Sequence, residues 1–199
     1  MTISFGHRGT ARPDGSTKEA WFAYRCGHCD SPASGAVLAY ALDENGKPAV
    51  RWLQCPTCHK GSVWLADGSV FPGIPFGPRI EGLPPEVEAA YEEARRCMAA
   101  NCFTAGEGMC RKILMHVAVE KGAKERDTFS AYIDHLAGAG YVTPPMKEWV
   151  KLIKDHGNRA QHRVEPPTPE RAQGTLLFTA QLLRSVYEMG HMAARFAKP

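Results

Sequence analysis

The sequence predicts an α+β chain, with β-hairpins at its N-terminal end and an all-α bundle of five helices behind them. Three observations predict it. Two Cys-x-x-Cys pairs, Cys26-Gly-His-Cys29 and Cys55-Pro-Thr-Cys58, punctuate a stretch of short strand-like runs. A Pro- and Gly-rich segment from Phe71 to Pro85 then breaks the composition. After Leu83 the apolar residues recur at helical spacing.

Residues up to about Lys18 mix Gly, Pro, Arg and Asp without periodicity and read as a loose arm. Trp21–Arg25 is a strand running into the first cysteine pair. Val37–Leu42 and Val50–Gln54 are strands flanking Asp43-Glu-Asn-Gly-Lys47, whose Asn-Gly marks a hairpin. Ser62–Leu65 and Val70–Phe71 make another hairpin around Asp67-Gly68. Asp30-Ser-Pro-Ala-Ser-Gly35 reads as a turn. Domain boundaries follow as 1–71, a linker at 72–85, and a helical bundle at 86–199.

In the bundle, Pro84-Pro85 open a first helix with Val87, Tyr91, Ala94 and Met98 on one face. Thr104-Ala-Gly-Glu107 reads as a capping box before the stripe Cys110, Ile113, Leu114 and Val117. Asp127 or Thr128 starts a third helix, carrying Phe129, Tyr132, Ile133 and Leu136, stopped by Gly138 and Gly140. Thr143 caps a fourth and Thr168 the last and longest. Cys97, Cys102 and Cys110 lack paired spacing and read as core residues.

Cys26, Cys29, Cys55 and Cys58 carry the strongest chemical signal. Two knuckles brought together by a hairpin offer four thiolates to a tetrahedral Zn²⁺, the layout of a small zinc ribbon. With all four positions filled by sulfur, the one zinc per chain is structural. Other readings are a redox Cys-Gly-His-Cys centre, a pair of disulfides, and His28 or His59 replacing a cysteine. A net charge of +3 argues for nucleic acid only where basic residues cluster. Seven cysteines, four in metal spacing, together with an N-terminus lacking an apolar signal core, point to a reducing cytoplasm.

The basic residues cluster once. Lys147, Lys151, Lys154, Asn158 and His162 follow at helical spacing, with Arg159 and Arg163 close by. As a solvated stripe they fill a helix face; as a binding stripe, Lys147, Lys151, Lys154, Arg159 and Arg163 would hold a phosphate backbone.

Leu83-Pro-Pro-Glu-Val, the segment Cys102–Leu114 with Ala105 and Arg111-Lys-Ile-Leu114, and Gly157-Asn-Arg-Ala-Gln-His162 resemble a known helical family. It is the domain of unknown function of family 4145, found alone in bacteria and at the end of type I restriction subunits. The resemblance spans Leu83 to Arg195. That family is similar to the HEPN group of bundles, whose active members are metal-independent RNases working as dimers. The resemblance thus implies an HEPN-like bundle, a homodimer, a place in a defence-type complex, and catalysis by His162 with Asn158 and Lys154. Arg159 stands only three positions before His162, and Lys154 offers a point charge in place of an arginine fork. The expected function is therefore a zinc-binding, non-catalytic adaptor for nucleic acid or protein, with an endoribonuclease acting through His162 as the alternative.

Overall fold

The computed structural model describes residues 21–146, 148–153 and 166–197. The chain divides into two compact units, Met1–Pro75 and Phe76–Pro199.

The first unit is one antiparallel sheet of five strands in sequence order: β1 (Trp21–Arg25), β2 (Pro32–Leu42), β3 (Pro48–Gln54), β4 (Gly61–Leu65) and β5 (Val70–Phe71). This corrects the expected zinc ribbon built of separate hairpins; the class is α+β, but the strands form a continuous curled sheet. The reason lies in β2. Its eleven residues pair with β1 from Pro32 to Ala36 and with β3 from Ala36 to Leu42, which fuses the hairpins. Register shifts between Val37 and Ala39 and between Ala41 and Leu42 bend the strand, as bulges do.

The segment expected as a turn supplies the first half of β2. Its small residues carry little strand propensity, but the partner strand needs them small. A Cβ on Gly35 would lie 2.5 Å from the Tyr24 ring, so glycine there lets the ring cross from β1.

One sheet face buries Val37, Tyr40 and Leu53, with Phe22, Tyr24, Leu42 and Trp64 packed against them. Arg51 is buried on this face. Its guanidinium carbon lies 4.3 Å from the Phe22 ring centroid and 4.5 Å from that of Trp64, so two π-faces accompany the charge. The β2–β3 turn closes on Asp43, whose Oδ1 accepts from the Asn45 and Lys47 backbone N–H groups.

The second unit is helical: α1 (Pro85–Ala99), α2 (Phe103–Glu120), α3 (Phe129–Gly138), α4 (Pro169–Leu183) and α5 (Met189–Phe196). A 3₁₀ turn at Pro144–Met146 and a helical stretch at 148–153 lie between α3 and α4. A π-helical turn, Arg184–Glu188, joins α4 to α5, so the long last helix is not uniform.

The core contains the apolar stripes read from the sequence on α1, α2 and α3, together with Ala172, Leu176 and Leu183 of α4. Thr128 and Thr168 cap α3 and α4, accepting from the backbone N–H groups of Ala131 and Arg171. The expected capping box on α2 does not form. Cys102 is the N-cap, its side chain makes no capping bond to the helix, and Thr104 lies inside the helix. Of the three unpaired cysteines read as core, Cys110 is buried, Cys97 is half-buried and Cys102 is exposed.

Arg95, 0% exposed, ties the incoming chain to α1. Its Nε and Nη2 donate to the carbonyls of Phe76 and Gly77 at 3.1 and 2.8 Å, and its Nη1 meets Glu92 at 2.8 Å. Tyr91 donates to the Pro78 carbonyl, and Ile80 enters the core.

Candidate metal centre

The two cysteine pairs fold as two copies of one loop. In the first, the Asp30 N–H donates to the Cys26 carbonyl at 2.9 Å and the Cys26 N–H to the Ser31 carbonyl at 3.0 Å. In the second, His59 donates to Cys55 and Cys55 to Lys60 at the same two distances, 2.9 and 3.0 Å. Each loop turns on a left-handed residue just after its second cysteine, Asp30 at φ 59° and His59 at φ 60°. That turn reverses the chain and sends it into β2 or β4, while both sulfurs stay on the inside.

The strands bring the loops together. β1 enters the first and β3 the second, and His28 Nε2 lies 2.9 Å from the Gly61 carbonyl oxygen at the start of β4. Arg25 Nε donates to the largely buried Asp30 carboxylate at 2.7 Å, bracing the first turn.

The four sulfurs lie within 4.8 Å of one another, with Cys26–Cys58 and Cys29–Cys55 both at 3.8 Å. A tetrahedral zinc with Zn–S bonds of about 2.3 Å sets the S···S edges at about 3.8 Å, so the set fits such an ion. A disulfide would need sulfurs at about 2.05 Å. None of the seven cysteines is in a disulfide. His28 and His59 are both exposed, and neither joins the set of ligand atoms.

The thiols titrate unequally. The Ser31 backbone N–H draws Cys29 down. Burial pushes Cys55 up, but the N–H groups of Cys58 and Thr57 outweigh it and bring it to about 6. The Lys60 N–H pulls Cys58 down, but burial and the neighbouring sulfurs prevail and it rises to about 11. Four sulfurs this close resist ionising together, and a cation among them removes the conflict.

The sheet also exposes aromatic groups. Tyr40 is buried and Trp52 and Trp64 are half-buried, whereas Trp21 and Phe71 are 54% and 57% exposed. Neither was singled out from the sequence; the signal available was their place on the first and last strands, which among the described residues pair on one side.

Of the basic stripe, Lys151 is described and exposed. Lys147, Lys154, Asn158, Arg159, His162 and Arg163 lie outside the described residues, so the expected catalytic and phosphate-binding groups are not placed. Among the described residues, no helix is long and apolar enough to cross a membrane.

No curated protein and no solved structure matches the chain. The sequence model of the domain of unknown function DUF4145 matches residues 92–198, from within α1 through α5. That is more than half of the 199 residues, and the chain belongs to the DUF4145 family.

Proposed function

We propose that this protein is a zinc-binding adaptor whose metal is structural and whose sheet presents a surface to nucleic acid. The observation that carries the reading is the set of four sulfurs within 4.8 Å of one another, two of their pairs at the 3.8 Å edge of a tetrahedral zinc site. A zinc held there has no position left for a reacting water, so its work is to hold β1–β2 against β3–β4. Sulfur-only coordination favours zinc over harder cations, and reduced thiols suit a reducing cytoplasm.

The partner reading is supported by Trp21 and Phe71, large exposed rings able to stack on bases, and by the exposed Arg25 on the same strand as Trp21. The resemblance to domains at the end of restriction subunits supports a place in a defence-type complex. Met189, Met192 and Phe196, exposed at helical spacing on α5, support association of two copies.

The test is binding of the zinc-loaded chain to a short single-stranded oligonucleotide across a salt series. Affinity should fall steeply with salt, and Trp21→Ala should weaken binding by about tenfold. Absence of binding at low salt by a folded, zinc-loaded chain defeats the nucleic-acid reading.

A further inference from the structure

Glu107 and Arg111 stand four residues apart on α2 and share one face of it. Arg171, in the first turn of α4, reaches Glu107 with Nε 3.0 Å from Oε1. The Arg111 guanidinium lies over the Phe129 ring at the start of α3, its carbon 4.4 Å from the ring centroid. Its Nη1 is shut off from solvent and has no hydrogen-bond partner among the described residues.

The largely buried Glu107 carboxylate thus holds Arg171 across the helices and acts electrostatically on Arg111 one turn along α2, while the first turns of α3 and α4 add the positive ends of their dipoles. Burial lowers the Arg111 pKa, Glu107 opposes the shift, and the charge of Arg171 lowers it further. An unbonded donor on a half-buried cation favours an acceptor with several oxygens. Planar forks from two arginines suit a tetrahedral oxyanion, and the Phe129 ring fixes one of those forks in place.

We propose that Arg111 and Arg171 form a binding site for a phosphoryl group, with Glu107 as the internal carboxylate that the incoming anion displaces. The site lies wholly in the helical unit and does not depend on nucleic acid binding to the sheet. Access is through Arg171, whose side chain keeps 19% of its surface exposed.

The full-length zinc-loaded chain, in buffer free of phosphate and sulfate, is titrated calorimetrically with inorganic phosphate, with adenosine 5′-monophosphate and with a short 5′-phosphorylated RNA. Arg111→Gln and Arg171→Gln should each weaken binding by about tenfold or more. Glu107→Gln should tighten it by about tenfold, since the competing carboxylate is gone. A purely structural ion pair predicts the reverse, a lower melting temperature with phosphate affinity unchanged. Binding led by inorganic phosphate identifies a free anion, and binding led by either nucleotide probe identifies a nucleotide end; both support the site. No heat with any probe, or affinities that Arg171→Gln and Glu107→Gln leave unchanged, overturns it. These two variants keep the test decisive if Arg111→Gln fails to fold by circular dichroism.

Discussion

Gly27 lies so close to Pro72 that a Cβ added to it would sit 1.8 Å from the Pro72 carbonyl oxygen. That contact presses the first knuckle, between Cys26 and Cys29, against the chain leaving β5. Backbone cannot swing aside as a side chain can, so Gly27→Ala should shift the loop and spread the sulfurs. We expect a loss of about 2 kcal/mol in sheet stability and weaker zinc retention in chelator competition. Gly61→Ala is the control, because a Cβ there would lie 3.9 Å from the Leu53 carbonyl oxygen, an ordinary contact. Equal behaviour of the two variants would show that the contact does not matter.

The left-handed turns make a second prediction. His59 adopts φ 60° with its side chain exposed, a conformation that costs an L-residue about 1 kcal/mol. His59→Gly should therefore raise the unfolding midpoint in denaturant, or leave it unchanged once chain entropy is counted. Asp30 has the same backbone but accepts from Arg25, so Asp30→Ala should lower the midpoint, through a loss of about 1 kcal/mol or more in unfolding free energy. A drop for His59→Gly matching that of Asp30→Ala would contradict this account.

What the sequence disclosed, and what it withheld, follows from the range of the forces involved. The knuckles were legible because metal ligation demands fixed residue types at fixed short spacing. The helical stripes were legible because each repeats within a single element. The first half of β2 was not, since Pro32, Ala33, Ser34 and Gly35 become strand only through pairing with β1 and packing beneath Tyr24. The α2 start was misread for a related reason. Glu107 matches the local capping pattern, yet its carboxylate is drawn to Arg171, sixty-four residues away. Arg111 and Arg171 became a candidate site only when α2 and α4 brought them to one carboxylate.

Arg95 should be among the most sensitive positions in the helical unit. With no exposed surface, it satisfies two carbonyls of the incoming segment and pairs with Glu92. Arg95→Met would keep much of the volume and leave those carbonyls and the carboxylate without these donors. The expected loss is about 3 kcal/mol, with faster proteolysis between Phe76 and Leu83. Arg95→Lys should rescue only part of it, because an ammonium cannot span the partners of a planar fork.

Acid sensitivity should trace to Glu120. Burial raises its carboxyl pKa, but hydrogen bonds from Lys121 and Tyr187 outweigh this and hold it below the usual range. The unfolded chain then binds the proton more readily than the folded one. The contribution to stability is present above the ordinary carboxyl pKa and is lost as pH falls through the depressed one. Melting temperature measured against pH should show a shallower acid limb for Glu120→Gln than for the parent chain. Unchanged limbs would remove Glu120 from the account.

Metal removal tests the N-terminal architecture most directly. The sheet's core is small, with Val37, Tyr40 and Leu53 as its fully buried centre, so the ion should supply a large part of its folding energy, on the order of 10 kcal/mol. Elemental analysis should find one zinc per chain, and Co²⁺ replacing it should show the intense charge-transfer bands of sulfur-only tetrahedral coordination. A strong chelator should then abolish the fluorescence signature of Trp52 and Trp64, which are half-buried in the sheet. The helical far-ultraviolet signal should largely survive, because Phe76–Pro199 forms its own compact unit with a separate core. Cys55→Ser should reproduce the chelated state without chelator, since one lost thiolate opens the site to water. Simultaneous loss of both signals would mean the units fold as one, and a chain that keeps its sheet after metal removal would deny the ion its structural role.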